Sequence, residues 1–187
     1  MKKRKYPLIV AQPFLCVAAI LEIILKKEGY NQYNQQMIAE SLGVNIPIDH
    51  KSSIKNINYT MDSNKWGIVL KNNTLTNWFM KNNINLVEDF ISIFTISEFK
   101  FLDIINQLLI TPYHLVCGFD YGYLYNKQGN KIGHVSLIIG TECEQVILLD
   151  PGPDQPGEKM VNGYDLFSAI KRKEDGIWIV KKLNRVE

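Results

Sequence analysis

The clearest hydrophobic pattern lies near the start of the chain, between Pro13 and Gly29. Apolar residues cover nearly every side of this stretch, which has a proline near one end and a glycine at the other. Proline is suited to the first turn of a helix, and glycine to the position just past its last residue. The pattern therefore predicts a central, buried helix that begins near Pro13.

Two further helices are predicted before the strand-rich part of the chain. Asn34 is a suitable cap for a helix that continues to Leu42. Ser97 can cap an amphipathic helix that ends before Pro112, because the residue before a proline is disfavoured in the helical conformation. Between these helices, residues 45–95 contain short apolar runs without a clear period, and the sequence predicts no defined element there.

Strand patterns dominate the C-terminal part of the chain. Strands are predicted at residues 113–125, 132–139, 145–149 and 177–183, with a turn over 127–130 and a helix over 165–171. Successive strands joined by short turns form an antiparallel meander. Because the helices come first and most strands follow, we expect an α+β fold with an N-terminal helical part packed on a mostly antiparallel sheet.

The composition is that of an ordinary soluble globular protein. The chain has 187 residues, of which 46% are hydrophobic and 21% charged, so residues 1–187 are expected to form a single domain. The net charge of +2 is too small to indicate a nucleic-acid partner. One dense basic run, at residues 2–5, is expected to be a solvated end without a role.

The chain carries three cysteines, Cys16, Cys117 and Cys143, and no C-x-x-C pair. An odd number at wide spacing fits neither a disulfide framework nor a zinc site, and a reducing compartment is the simpler interpretation. His50 and His114 have no partners at the spacing of a metal site, so no metal is expected. No glycine-rich phosphate loop is present in the sequence, and no cofactor is expected.

The basic start followed by an apolar stretch has the layout of a secretory signal. However, Gln12 and Glu22 interrupt the apolar run, and no small-x-small cleavage site is followed by a polar mature start. Pro13 and Glu22 also argue against a membrane span. We therefore expect a cytoplasmic protein without a membrane span.

Cys16 is the first candidate for chemistry, since it lies two or three residues into the first predicted helix. Unpaired backbone N–H groups and the helix dipole favour an anion at this end of a helix, and such a position lowers the pKa of a thiol. Cys16 is therefore a candidate nucleophile. Considered alone, a small buried cysteine that fills the helix core is the commoner case.

His134 and Asp150 form a second candidate group, at the start of one predicted strand and the end of the next. If the turn between these strands is centred between residues 142 and 143, residue 134 faces residue 151, and Asp150 is a near neighbour across the ladder. A carboxylate at this distance can orient an imidazole and stabilise its charged form. A strand-edge histidine beside an ordinary turn aspartate is the alternative.

Gln12 lies four residues before Cys16. Its side-chain amide and the backbone N–H of Cys16 are close enough in sequence to face the same point, and two such donors would form an oxyanion hole. An exposed polar residue in an N-terminal loop is the alternative interpretation.

Taken in chain order, these motifs resemble the papain-like double-glycine peptidases, which are the bacteriocin-leader peptidases and their relatives. The motifs are Gln12-x-x-x-Cys16 opening an apolar helix, Gly133-His134 opening a strand, and Asp150-Pro151-Gly152. The likeness extends over most of the chain apart from residues 45–95. It implies a papain-like fold with Cys16 as nucleophile, His134 as general base and then acid, Asp150 as orienting carboxylate and Gln12 as oxyanion donor.

The resemblance implies a cysteine peptidase or amidase that forms a thioester with a peptide, protein or small-amide substrate. With an amine in place of water as acceptor, the same residues would make an acyltransferase or transpeptidase. Leu15 and Val17 flank Cys16 where the family has an acidic residue and a glycine. A catalytically silent papain-like binding module is therefore a further alternative, as is a structural α+β protein with an accidental Cys, His and Asp. The sequence does not predict an oligomeric state.

Overall fold

The computed structural model describes residues 3–52, 54–62, 65–71, 73–125, 132–152 and 155–183. The helices in these ranges are α1 (Cys16–Lys27), α2 (Gln35–Leu42), α3 (Thr74–Lys81), α4 (Glu98–Leu109), α5 (Tyr121–Leu124) and α6 (Gly163–Lys173). The strands are β1 (Val44–Ile46), β2 (Ile57–Tyr59), β3 (Leu86–Ser92), β4 (His114–Asp120), β5 (Gly133–Glu142), β6 (Gln145–Asp150), β7 (Gly157–Asn162) and β8 (Gly176–Lys182). In this part of the chain no helix has the length and apolar character that crossing a bilayer requires.

The main sheet has six strands in the order β3-β8-β4-β5-β6-β7, and every neighbouring pair is antiparallel. The predicted meander is confirmed in β4, β5 and β6, and the predicted last strand is β8. Both edge strands, β3 and β7, were not predicted, and β3 lies in the stretch without a clear period. A separate pair, β1 and β2, is parallel. The α+β class is confirmed.

Helices cover both faces of the main sheet. The first face packs against α1, α2 and α3 in a core that includes Phe79 and Leu137. The second face packs against α4 and α6 in a core that includes Phe101 and Ile138. Leu137 and Ile138 are neighbours on β5 and point to opposite faces, as successive strand residues do. The N-terminal helices pack on the sheet as predicted, and α4 and α6 form a second helical layer on its other face.

Helix α1 begins at Cys16 and not near Pro13, so this part of the prediction is wrong. The Leu15 N–H donates to the Gln12 carbonyl oxygen at 3.0 Å, and Phe14 has a φ of 64°. Proline in the second position of a four-residue turn and a positive φ in the third are the features of a type II turn. The fixed φ of Pro13 suits such a turn as well as it suits a helix. The turn makes Cys16 the first residue of α1.

The strand predicted over residues 113–125 is also too long, since β4 ends at Asp120. The Asp120 side chain accepts a hydrogen bond from the Tyr123 N–H at 3.1 Å and caps the short helix α5. Aspartate is among the preferred residues for such a cap. Tyr121 and Tyr123 therefore lie on α5 and not on a strand. The turn predicted over 127–130 lies outside the described residues.

The N-terminal basic run is not simply a solvated end, because Arg4 is anchored. Its guanidinium donates to carbonyl oxygens at the end of α4 and just beyond it, namely those of Leu108 (3.1 Å), Leu109 (2.7 Å), Thr111 (2.5 Å) and Tyr113. The last carbonyl groups of a helix have no partner within the helix, and a basic side chain can satisfy them. Arg4 thus ties the start of the chain to α4.

Gly176 occupies a position where no larger residue fits. A Cβ atom at this position would lie 2.1 Å from the Ile91 carbonyl oxygen of the paired strand β3. We expect Gly176→Ala to lower the free energy of unfolding by about 1–3 kcal/mol, because the β3 backbone must move away. Urea denaturation measures this cost. Gly140→Ala on β5 is the matched control, since its nearest atoms would lie 3.5 Å away; equal losses in the two variants would contradict the prediction.

Candidate active site

Cys16 is the first residue of α1 and is partly buried. The first N–H groups of a helix have no partner within the helix and, with the helix dipole, favour an anion. Burial by itself would raise the pKa of the thiol, but the hydrogen bond and positive charge of His134 outweigh burial, and the backbone N–H groups of Val17 and Val135 act in the same direction. The pKa of Cys16 is therefore lowered, and the thiolate is favoured.

His134 is the second residue of β5 and is 6% exposed. Its ring stands edge-on to Phe119 and Tyr121, with centroid distances of 5.5 and 5.1 Å. Its Nε2 lies 2.7 Å from Oδ1 of Asp150, so Nδ1 is the ring nitrogen that can interact with the Cys16 thiol. The aromatic rings and the carboxylate together hold the imidazole in one orientation.

The surroundings of His134 favour its charged form. Burial alone would lower its pKa, but the hydrogen bonds to Asp150 and Cys16, with the negative charges of both groups, raise the pKa of His134 to about 9. A lowered thiol pKa beside a raised imidazole pKa stabilises a thiolate–imidazolium pair. Such a pair is the activated form of a cysteine nucleophile.

Asp150 ends β6, and its side chain is fully buried. Each carboxylate oxygen accepts two hydrogen bonds. Oδ1 accepts from His134 Nε2 (2.7 Å) and Gly152 N (2.9 Å), and Oδ2 accepts from Tyr125 Oη (3.2 Å) and Lys159 Nζ (2.9 Å). Burial would raise the pKa of the carboxyl group, but His134, Lys159 and the Gly152 N–H outweigh it and lower the pKa to about 2. The carboxylate is therefore ionised and fixed behind the imidazole.

The expected contact between His134 and Asp150 is present, although the register differs from the prediction. On the His134 side of the hairpin, Leu137 pairs with Leu149, and the register shifts between Ile138 and Gly140. This pairing is one residue away from the register that the sequence predicted. The contact survives because long side chains also reach diagonal neighbours across a ladder.

Lys159 belongs to the same group of side chains and was not among the candidates predicted from the sequence. Its Nζ lies 2.9 Å from Oδ2 of Asp150, 4.4 Å from the ring centre of Tyr125 and 5.7 Å from that of Tyr121. The lysine lies on β7, which was not predicted. Its role depends on the pairing of β7 with β6, and no local motif in the sequence marks that pairing.

Two neighbouring cavities meet at Cys16 and His134. The first, of about 240 Å³, is also lined by Gln12, Phe14 and Gly152. The second, of about 280 Å³, is lined by aromatic and aliphatic side chains that include Phe90, Leu70 and Trp178. Trp66 and Gly67 line both cavities and lie in the stretch for which the sequence predicted no defined element.

The four candidate residues are thus brought together. Gln12, Cys16 and His134 line one cavity, and Asp150 is hydrogen-bonded to the far side of the His134 ring. Gln12, the most exposed of the four, follows an extended stretch that precedes the turn before α1. The arrangement places the Cys16 thiol and the His134 imidazole at one cavity, and Gln12 also lines this cavity.

The remaining histidines and cysteines lie elsewhere in the structure. His50 packs edge-on against Phe14, and His114 is hydrogen-bonded to Tyr6 and Glu28. Cys117 is buried on the other face of the sheet, where burial raises the pKa of its thiol. Cys143 is exposed in the β5–β6 turn. In the described ranges, no group of three or more His, Cys, Asp or Glu residues is placed to hold a metal ion.

Comparison with known proteins gives matches in structure and none in sequence. No family model matches the chain, and no curated protein matches it. A solved structure from Bacillus anthracis, described as a C39-like peptidase, has a TM-score of 0.63 and 13% identity, covering 96% of this chain and 98% of the other. The peptidase domain of Streptococcus ComA, a bi-functional ABC transporter involved in quorum sensing, has a TM-score of 0.51 and 13% identity over 95% and 96% of the two chains.

A third structure has the same relationship. It is a double-glycine motif protease from an AMS/PCAT transporter in complex with the leader peptide, with a TM-score of 0.52 and 12% identity over 96% of this chain and 94% of the other. At such identities the likeness shows a shared fold. The chain therefore has the papain-like fold of C39 peptidases, which is the group that its motifs resemble.

Proposed function

We propose that this chain is a cysteine hydrolase that cleaves a peptide or amide bond through a thioester on Cys16. The observation that carries the proposal is the meeting of Cys16, His134 and Gln12 around one cavity, with Asp150 behind the imidazole. Gln12 and Cys16 come from the turn before α1 and the start of that helix, and His134 and Asp150 come from two strands more than a hundred residues later, so the convergence argues against an accidental Cys, His and Asp. Similarity of fold to peptidases, one of them in complex with a leader peptide, supports a peptide as substrate.

In the first half of the reaction, the Cys16 thiolate attacks the carbonyl carbon of the substrate. The negative charge that develops on the carbonyl oxygen is stabilised by the Gln12 side-chain amide and the Cys16 backbone N–H. His134 donates its Nδ1 proton to the leaving nitrogen, the carbon–nitrogen bond breaks, and an amine departs. The acyl group remains on Cys16 as a thioester.

In the second half, the imidazole of His134 takes a proton from water, and the resulting hydroxide attacks the thioester carbon. The carbon–sulfur bond breaks, a carboxylic acid is released and the Cys16 thiolate is restored. Asp150 stays ionised throughout, holding the imidazole in place and stabilising its charged form. If an amine replaces water at this step, the product is a new amide, and the protein is an acyltransferase.

The experiment that tests this proposal uses a peptide library prepared from digested bacterial proteins. New peptide termini are read by mass spectrometry after incubation with the wild-type protein and with His134→Ala. We expect new termini with the wild-type protein only. Added glycinamide separates the two outcomes of the second half-reaction, because acyl transfer yields peptides that carry it. No new termini and no glycinamide adducts with the wild-type protein would contradict the proposal and favour a binding module.

The pH dependence of turnover follows from the pKa shifts. Acylation needs the Cys16 thiolate together with a protonated His134. The lowered pKa of Cys16 places the acid limb of kcat/KM below the free thiol value of about 8.5. Since His134 loses its proton as the pH rises through about 9, kcat/KM for an amide substrate falls there. Initial rates from pH 4 to 10 test this profile, and a rate that only rises through pH 8.5 and beyond would contradict it.

A further inference from the structure

The backbone that carries Gln12 is fixed on both sides. On one side, the Ala11 N–H donates to the Pro151 carbonyl oxygen at 2.9 Å, next to Asp150 in the chain. On the other, the side-chain amide of Gln35 makes two hydrogen bonds to this segment: its Oε1 accepts from the Gln12 N–H at 2.8 Å, and its Nε2 donates to the Val10 carbonyl oxygen at 3.0 Å. The backbone of residues 10–12 is therefore hydrogen-bonded to Pro151 on one side and to Gln35 on the other.

Gln35 is itself held in place. It is the first residue of α2 and is 9% exposed. Its backbone N–H donates to Oε2 of Glu22 at 2.8 Å, and the other oxygen of Glu22 pairs with Lys26 at 2.8 Å. Glu22 is buried on α1, the helix that Cys16 begins. A continuous chain of contacts thus joins the Cys16 helix, Gln35 and the backbone of Gln12.

The side chain of Gln35 is chemically suited to this contact. A primary amide offers one acceptor and two donors, so it can satisfy the N–H and the C=O of an extended segment at the same time. Glutamate would keep the acceptor for the Gln12 N–H and lose the donor to the Val10 carbonyl. Its second oxygen would then face the Val10 carbonyl oxygen, and because two acceptors repel each other, the segment would shift away from its present position.

We propose that Gln35 is a positioning residue for the oxyanion donor Gln12, which deepens the proposed function and rests on it. Oxyanion donors act through preorganisation, and their effect depends on placement within a fraction of an ångström. Gln35 does not line either cavity that contains Cys16. It acts by fixing the backbone from which the Gln12 side chain extends. Gln35 therefore affects how well the oxyanion is stabilised and leaves the reactivity of the Cys16 thiolate unchanged.

Two reactions of Cys16 separate these effects. Acetylation by p-nitrophenyl acetate passes through a tetrahedral oxyanion before p-nitrophenolate leaves and the thioester remains. Alkylation by iodoacetamide displaces iodide from a saturated carbon and forms no oxyanion. For Gln35→Glu we expect the acetylation rate constant to fall by roughly 10–100-fold, a part of the effect of a whole oxyanion donor. The alkylation rate should stay within about twofold of wild type, because the Cys16–His134 pair is unchanged.

Gln36→Glu is the matched control, since it introduces the same charge one residue further on α2, where Gln36 is exposed and contacts Glu40. We expect neither rate to change in this variant. Where Gln35→Glu does not fold, Gln35→Met has a similar length without the charge. Gln12→Ala completes a double-mutant cycle: if Gln35 acts through Gln12, the substitution at Gln35 has little further effect on acetylation in the Gln12→Ala background.

The positioning role is overturned if the acetylation and alkylation rates fall together in both Gln35 variants, or if neither rate falls. It is also overturned if the fold-losses in acetylation rate caused by the Gln35 and Gln12 substitutions multiply in the double variant, because the two residues then act independently. Failure of the proposed function gives a different result. In that case wild-type Cys16 itself alkylates with the pH profile of an ordinary thiol, before any variant is compared.

Discussion

Cys16→Ser should abolish turnover, with a loss in kcat of at least about 10⁴-fold. A serine hydroxyl at the same position has a far higher pKa than the thiol, so the pairing with His134 no longer supplies an anionic nucleophile. The fold should be retained, because serine is close in size to cysteine and the side chain is only partly buried. Release of p-nitrophenolate from p-nitrophenyl acetate measures the loss, and circular dichroism checks the fold.

Cys143→Ser is the control for this substitution. Cys143 is exposed in a turn, away from both cavities at Cys16, and we expect its activity to equal that of wild type. Retention of most of the turnover in Cys16→Ser would show that another group reacts with the ester. The interpretation as a catalytically silent binding module would then be preferred.

Asp150→Asn has the second large expected effect, and it acts on both activity and stability. We expect kcat to fall by about 10³–10⁴-fold, since a neutral amide neither stabilises the imidazolium nor holds the correct tautomer. The substitution also leaves Lys159, which is 17% exposed at its side chain, without its carboxylate partner. Loss of one member of a buried ion pair costs about 3–5 kcal/mol of unfolding free energy.

The stability difference between wild type and Asp150→Asn should depend on pH in a defined direction. The pKa of Asp150 is lowered from 3.8 to about 2 in the folded protein. A depressed carboxyl pKa contributes stability that is present above the unfolded value and disappears as the pH falls through the folded value. The difference should therefore shrink between about pH 4 and about pH 2, as measured by urea denaturation at several pH values.

Asp120→Asn is the matched control, because Asp120 is a buried aspartate that also contacts a cation, Arg172, at 3.3 Å. It lies at the end of β4 and caps α5. We expect a loss of stability without a comparable loss of kcat. A similar loss of kcat in both variants would mean that the effect at Asp150 reflects general damage to the sheet.

The sequence predicted those parts of the fold that depend on local signals. Asn34 caps α2 through its side chain, which accepts from the Met37 N–H, and the strands β5 and β6 follow their apolar runs. The edge strand β3 was not predicted, because its residues become a strand by pairing with β8, almost a hundred residues later. The start of α1 was misplaced because proline favours a turn and a helical first turn alike.

The same distinction applies to the candidate site. Cys16, His134, Asp150 and Gln12 stand next to recognisable landmarks, such as a helix start or a strand end. Lys159 has no such landmark, and Gln35, although it begins α2, gives no local sign of its partner, since each of the two reaches its partner only after distant segments pack together. The register of β5 and β6 was one residue out because the turn lies at residues 143–144, one position later than predicted, and the bulge near Ile139 removes only half of the resulting two-residue shift. Contacts that depend on tertiary packing could therefore not be predicted from the local sequence pattern.

The measurement that tests the central claim most directly is the rate of Cys16 alkylation by iodoacetamide from pH 4 to 9, read by peptide mass spectrometry, in the wild-type protein and in His134→Ala. The thiolate–imidazolium pair predicts a rate that persists well below the free thiol pKa of about 8.5 and falls at low pH when His134 is removed. Slow alkylation that follows an ordinary thiol titration and is indifferent to His134 would contradict the account.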